Sequence, residues 1–187
     1  MYKLQIDYLV DISTTSFHEV RKILNDVSEI YQSIDVDILF NYLDCCNIQK
    51  YITYDITSLY QILGLFKLDK QEIFNNLKHR TLMISSIPIK HTKDAVSMNL
   101  DIDNNISLIL VNYYNSLKQK SFTYKQKVMI TAHEIAHSIG ASHTPNKIRF
   151  KYTIMNPFVP DDNEIILKFS SRTKKDIHKF LENINEK

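Results

Sequence analysis

Apolar and polar residues alternate along KLQIDYLVD (Lys3 to Asp11) with the two-residue period of a half-buried strand. In the segment that follows, STTSFHEVRKILNDVSEIYQSI, the period lengthens. Phe17, Val20, Leu24, Val27 and Tyr31 recur at helical spacing and predict a long amphipathic helix. DVDILFNYLD (Asp35 to Asp44) predicts a second strand. Ser58 followed by Gln61 has capping-box spacing and predicts a helix through LYQILGLF. TLMISSIPI, AVSMNL and ISLILVNYY predict three more strands, the middle one short and the last apolar enough to be interior. Thr123 and Gln126 repeat the capping-box spacing, so a helix is expected through TYKQKVMITAHEIAHSI, ending near Ile139.

This alternation carries no repeat, low-complexity tract or linker, and 187 residues with 44% hydrophobic content suit a single domain over 1–187. The longest apolar run is the six residues of ISLILV, against about 18 needed to span a bilayer, so no membrane insertion is expected. A net charge of +2, with basic residues spread among acidic ones, gives no phosphate-binding stripe; nucleic acid is not an expected partner, and a monomer is expected. The opening MYKLQIDYLVD lacks the basic start and apolar block of a secretory leader. Cys45 and Cys46 are adjacent, a spacing that disfavours an ordinary disulfide, so disulfides are not expected to hold the fold.

The chemistry concentrates in HEIAHSIGASH, His133 to His143. A chain with seven histidines and two glycines places three of the former and one of the latter within these eleven residues. On a helix, His133 and His137 stand one turn apart and share a face, within reach of one ion. Gly140 suits a left-handed helix end, after which the chain can turn and bring back His143 as a third ligand. Three neutral imidazoles leave a tetrahedral zinc one position for water, the mark of a catalytic site. Glu134 stands beside the first ligand, placed to take a proton from that water. The other histidines, His18, His79, His91 and His178, stand singly and suit solvent or packing roles. Tyr113 and Tyr114, at a strand end, suit core and rim, and RTKKDIHK reads as the wet face of a last helix.

The form HExxHxxGxxH, followed twelve residues later by Met155 in YTIMNP, resembles the metzincin metalloproteases with their Met-turn. KVMITAHEIAHSIGASHT is most similar to the active-site helix of the adamalysin (reprolysin, ADAM-type) branch, and FSSRTKKDIHKFL to its C-terminal helix. Two positions depart from relatives: Thr144 follows the third histidine where that branch usually has Asp, and Pro157 stands where astacins and serralysins can place a tyrosine ligand. Neither a tyrosine ligand nor a matrixin-like calcium site is expected.

The resemblance implies an α/β (α+β) metzincin-like fold, with a twisted mixed sheet of about five strands and helices in an upper subdomain (1–140). A small irregular lower subdomain (141–187) would end in a helix. It implies one catalytic Zn2+ on His133, His137 and His143, with Glu134 as general base. An extended protein or peptide substrate would lie in the cleft between subdomains, along an edge strand that includes Ala95, Val96, Ser97 and Met98. Met155 would floor the metal, and Pro157, Phe158 and Val159 would wall the pocket for the side chain after the cleaved bond. The implied activity is zinc endopeptidase; the alternatives are an inert metzincin-like binding or inhibitory module and a zinc hydrolase of a non-peptide amide. Family habit points to secretion, whereas the lack of disulfides fits a reducing interior.

Overall fold

The computed structural model describes residues 1–11, 14–43, 80–88, 97–101, 107–115, 118–144 and 153–185. Five strands form one sheet: β1 (Tyr2–Val10), β2 (Val36–Tyr42), β3 (Arg80–Ser85), β4 (Ser97–Asp101) and β5 (Ser107–Asn112), in the order β2-β1-β3-β5-β4. The first three and β5 run parallel; β4 alone is antiparallel, paired to β5 with Ser97 opposite Val111 and Asp101 opposite Ser107. This is the mixed α/β fold that the sequence predicts, with β4 at one edge.

Helix α1 (Phe17–Gln32) is started by Ser16, whose hydroxyl accepts the amide of Glu19. It buries Val20, Ile23, Leu24, Val27 and Tyr31 together with Ile6, Tyr8, Leu82 and Ile84 of the sheet. Helix α2 (Tyr124–Ser138) enters the same core through Val128, Ala132, Ile135 and Ala136. Helix α3 (Ser171–Asn185) adds Ile177 and Leu181 to it. Burial of this many aliphatic side chains, each contributing about 1.5–3 kcal/mol, makes this layer the main source of stability. β3 and β5 are buried along their whole length, on both faces, which explains their near-continuous apolar sequences. No helix among the described residues is long and apolar enough to cross a membrane.

Two strand ends differ from the sequence prediction. ISLILVNYY does not continue as one strand. The chain leaves the sheet at the buried Tyr113, and β6 (Tyr114–Asn115) pairs with β7 (Lys120–Ser121) in a separate two-stranded ribbon. TLMISSIPI stops at Ser85 because the backbone of Ile87 bonds the side-chain amide of Asn112, at 3.0 and 2.9 Å, in place of a ladder partner. The helix expected from Ser58, and Cys45, Cys46, His79, His91, Ala95 and Val96, lie outside the described residues.

Candidate metal centre

Helix α2 is the platform. Its predicted capping box is formed: Thr123 Oγ1 accepts the Gln126 amide at 3.3 Å, and Gln126 Oε1 accepts the Thr123 amide at 3.2 Å. Its other end closes in a Schellman arrangement, with Gly140 N–H on His137 O and Ala141 N–H on Ala136 O. Gly140 has φ +83°, and an added Cβ would stand 2.8 Å from the Phe180 ring. Arg80 Nε also donates to Ser138 O at 3.0 Å, so the last turn of α2 is tied to β3.

That turn brings His143 back against the helix. The Nε2 atoms of His133 and His137 are 3.0 Å apart, and His143 Nε2 lies 3.2 and 3.1 Å from them. The opposite ring nitrogens fix the tautomers. His133 Nδ1 lies 2.7 Å from the carbonyl oxygen of Ile154, and His137 Nδ1 2.8 Å from that of Ala141. A carbonyl can only accept, so each Nδ1 carries the proton and each Nε2 presents a lone pair. Burial pushes the His133 imidazole down to about 4, and burial with the neighbouring His133 lowers that of His137; both rings are neutral at pH 7. The 3.7 Å approach of Glu134 Oε1 to His133 Nε2 is therefore not an ion pair.

Two lone pairs facing each other at 3.0 Å repel unless a cation lies between them. Ligands at about 2.0–2.1 Å from a tetrahedral ion stand about 3.3 Å from one another, close to the spacing found here. The three nitrogens thus fit a divalent metal, and the carbonyl acceptors behind two of them supply the outer hydrogen bonds that orient metal-binding imidazoles.

A turn at Thr153–Asn156, closed by Asn156 N–H on Thr153 O, supplies one of those carbonyls. Met155 in this turn is fully buried, and its carbonyl accepts both the amide and the hydroxyl of Thr144, at 3.0 and 3.1 Å. The cleft in front of the histidines holds about 360 Å³. Ser97 of β4 lines it, as do Pro157 and Val159. Phe158, expected in the wall, is not among the lining residues and is 69% exposed, and the Met98 side chain lies outside the described ones. Glu134 sits at the base, nearly buried. Burial raises its carboxyl above the usual range, opposed by a hydrogen bond from Ser97 and by His137.

Three lining residues escape the sequence reading: Asn99, Ile130 and Asn156. The two-residue period of a strand carries Ser97 to Asn99, whose Nδ2 donates to Glu134 O at 2.9 Å. Helical spacing links Ile130 to His133, Glu134 and His137. Asn156 accepts the Phe158 amide at 3.1 Å, an Asx turn ahead of the cleft wall. The single histidines are as expected where described: His178 bonds Ile34 O at 2.6 Å.

A family model described as Reprolysin (M12B) family zinc metalloprotease matches residues 9–187. No curated protein sequence matches significantly. Among solved structures, metalloproteinase-II from Bacteroides fragilis is similar in fold, with a TM-score of 0.61 at 10% identity. The match covers 96% of this chain and 53% of that one, so this chain spans about half the length of that structure.

Proposed function

Because the chain belongs to the reprolysin (M12B) family of zinc metalloproteases, we propose that it is an endopeptidase carrying one zinc on Nε2 of His133, His137 and His143. The observation that carries this reading is the set of three Nε2 atoms within 3.0–3.2 Å of one another, two of them left with a free lone pair because the carbonyls behind their neutral rings hold the proton on Nδ1. Zinc, when bound, supplies Lewis-acid chemistry that polarises a peptide carbonyl and brings the pKa of water toward about 7.

The chain's own residues do the rest. Glu134 accepts a proton from the attacking water on its carboxylate and delivers it to the departing amine. Its burial supports this, since a raised carboxyl pKa makes it a better base once ionised. β4, at the end of the sheet, offers backbone groups along which an extended peptide adds as a further strand; Ser97 and Asn99 face the cleft there. We assign Thr153–Asn156 as the Met-turn of an adamalysin-like site, with Met155 an apolar support and not a ligand, since thioether is a poor zinc ligand beside imidazole. Pro157 and Val159 wall the pocket for the side chain after the cleaved bond, and the lower part of the domain runs from 141 to 187.

The test is cleavage of a denatured-protein digest library by the zinc-loaded chain. Cleavage should stop with chelator and return on adding zinc. Cleavage indifferent to chelation, or none across the library, contradicts the reading.

A further inference from the structure

The cleft wall is pinned at both ends. At its start the Asn156 amide bonds Thr153 O, and the Asn156 side chain holds the Phe158 amide. At its far end the chain reaches the beginning of α2. There Gln126 Nε2 donates to Pro160 O at 2.9 Å, Lys125 Nζ donates to Asp162 O at 2.9 Å, and Thr123 Oγ1 donates to Asp162 Oδ1. Lys118 Nζ lies 3.5 Å from Asp161 Oδ1.

Thr123 and Gln126 are also the two members of the capping box. The box uses only one group of each: the Thr123 oxygen as acceptor and the Gln126 carbonyl oxygen as acceptor. The hydroxyl hydrogen and the amide NH₂ remain, and both are spent on residues 160–162. A glutamate serves a capping box as well as a glutamine does, but has no N–H to give Pro160. The amide is therefore needed for the wall and not for the helix. From Asn156 to Pro160 the wall is only Pro157, Phe158 and Val159, the Phe158 amide held by Asn156 and Pro157 and Pro160 fixed in φ. The helix that carries His133, Glu134 and His137 thus also sets the distance to the wall facing them.

We propose that the α2 capping box doubles as a latch on the cleft wall, making Gln126 and Thr123 specificity-determining residues that act through the position of Pro157 and Val159. This rests on the cleft being a peptide site. Without the latch the wall can move outward and admit longer side chains.

The experiment uses the zinc-loaded full chain, as parent, Gln126→Glu and Asp162→Ala; the second variant removes the acceptor of Thr123 without touching the box. Affinities are measured by calorimetry for two peptide hydroxamates, identical except for a leucine or a phenylpropyl side chain. Amide exchange is followed over residues 158–165, along with zinc content and helical circular dichroism. In both variants exchange should quicken at least tenfold and the affinity ratio of long to short side chain should rise at least threefold, with zinc and helix content as in the parent. Unchanged exchange, or faster exchange with an unchanged ratio, overturns the proposal. So does loss of helix or zinc in Gln126→Glu, since the side chain would then serve the helix and not the wall. Hydroxamate binding needs no turnover, so failure to cleave peptides would count against the peptidase reading while the latch is still decided by these readouts.

Discussion

Thr144 is bound twice to one carbonyl oxygen, that of Met155, by its amide at 3.0 Å and its hydroxyl at 3.1 Å. A carbonyl has two lone pairs, so both bonds can form together, and they fasten the segment carrying His143 to the turn beneath the site. Thr144→Val keeps the shape and the amide bond and loses the hydroxyl. It should cost about 1 kcal/mol in thermal or urea unfolding and leave zinc content intact; stoichiometric zinc lost from a folded Thr144→Val chain would contradict this role. At this scale the sequence made His133, Glu134, His137 and His143 legible because their spacing is local. It left illegible the partners that fix the rings, Ile154 O and Ala141 O, since backbone carbonyls carry no residue signature. Asn99 was within reach of strand periodicity from Ser97, because the resemblance already placed the strand AVSMNL along the cleft; its bond to Glu134 O was not.

Among the elements, α2 was the most legible, because both of its ends are written in side-chain chemistry: Thr123 and Gln126 at the start and Gly140 at the stop. The break of the strand at Tyr113 was not. It depends on Asn112 bonding Ile87 and on the Tyr113 hydroxyl meeting Thr131 at 2.8 Å, contacts that local patterning does not encode. Gly140 answers both to its own backbone and to another element. Its φ of +83° is strained for any residue with a Cβ, and Phe180 of α3 occupies the space a Cβ would take. Gly140→Ala should therefore lower stability by about 1–3 kcal/mol and weaken zinc affinity, because His143 follows directly from this turn. Urea unfolding with and without zinc measures both, and an unchanged midpoint in each would contradict the account.

Across the whole molecule, α3 is stitched to the start of the sheet. Lys174 Nζ lies 2.8 Å from Asp35 Oδ2, the Tyr2 hydroxyl bonds Glu182, and His178 bonds Ile34 O. Asp35 adopts φ +65° between α1 and β2, and Lys174 holds its carboxyl below the usual carboxylate range through a hydrogen bond and its charge. A depressed carboxylate contributes stability above its unfolded pKa of about 4, lost as pH falls through the folded value. Because the pair is exposed, the contribution is small and weakened by salt. Carboxyl NMR should show Asp35 titrating low in the parent and at an ordinary value in Lys174→Gln; no difference between them would contradict the link. The five-stranded sheet and its order of elements followed from periodicity and resemblance, whereas long-range stitches such as Lys174 to Asp35 join residues 139 positions apart and have no local signal. The central claim concerns what this assembly does, and one substitution tests it most directly. In zinc-loaded Glu134→Gln, the carboxylate that moves the proton is gone while His133, His137 and His143 remain. Peptide cleavage should fall by about 10²–10⁴-fold with one zinc per chain retained and the melting temperature unchanged. Cleavage at the parent rate by a zinc-replete Glu134→Gln chain would contradict the account.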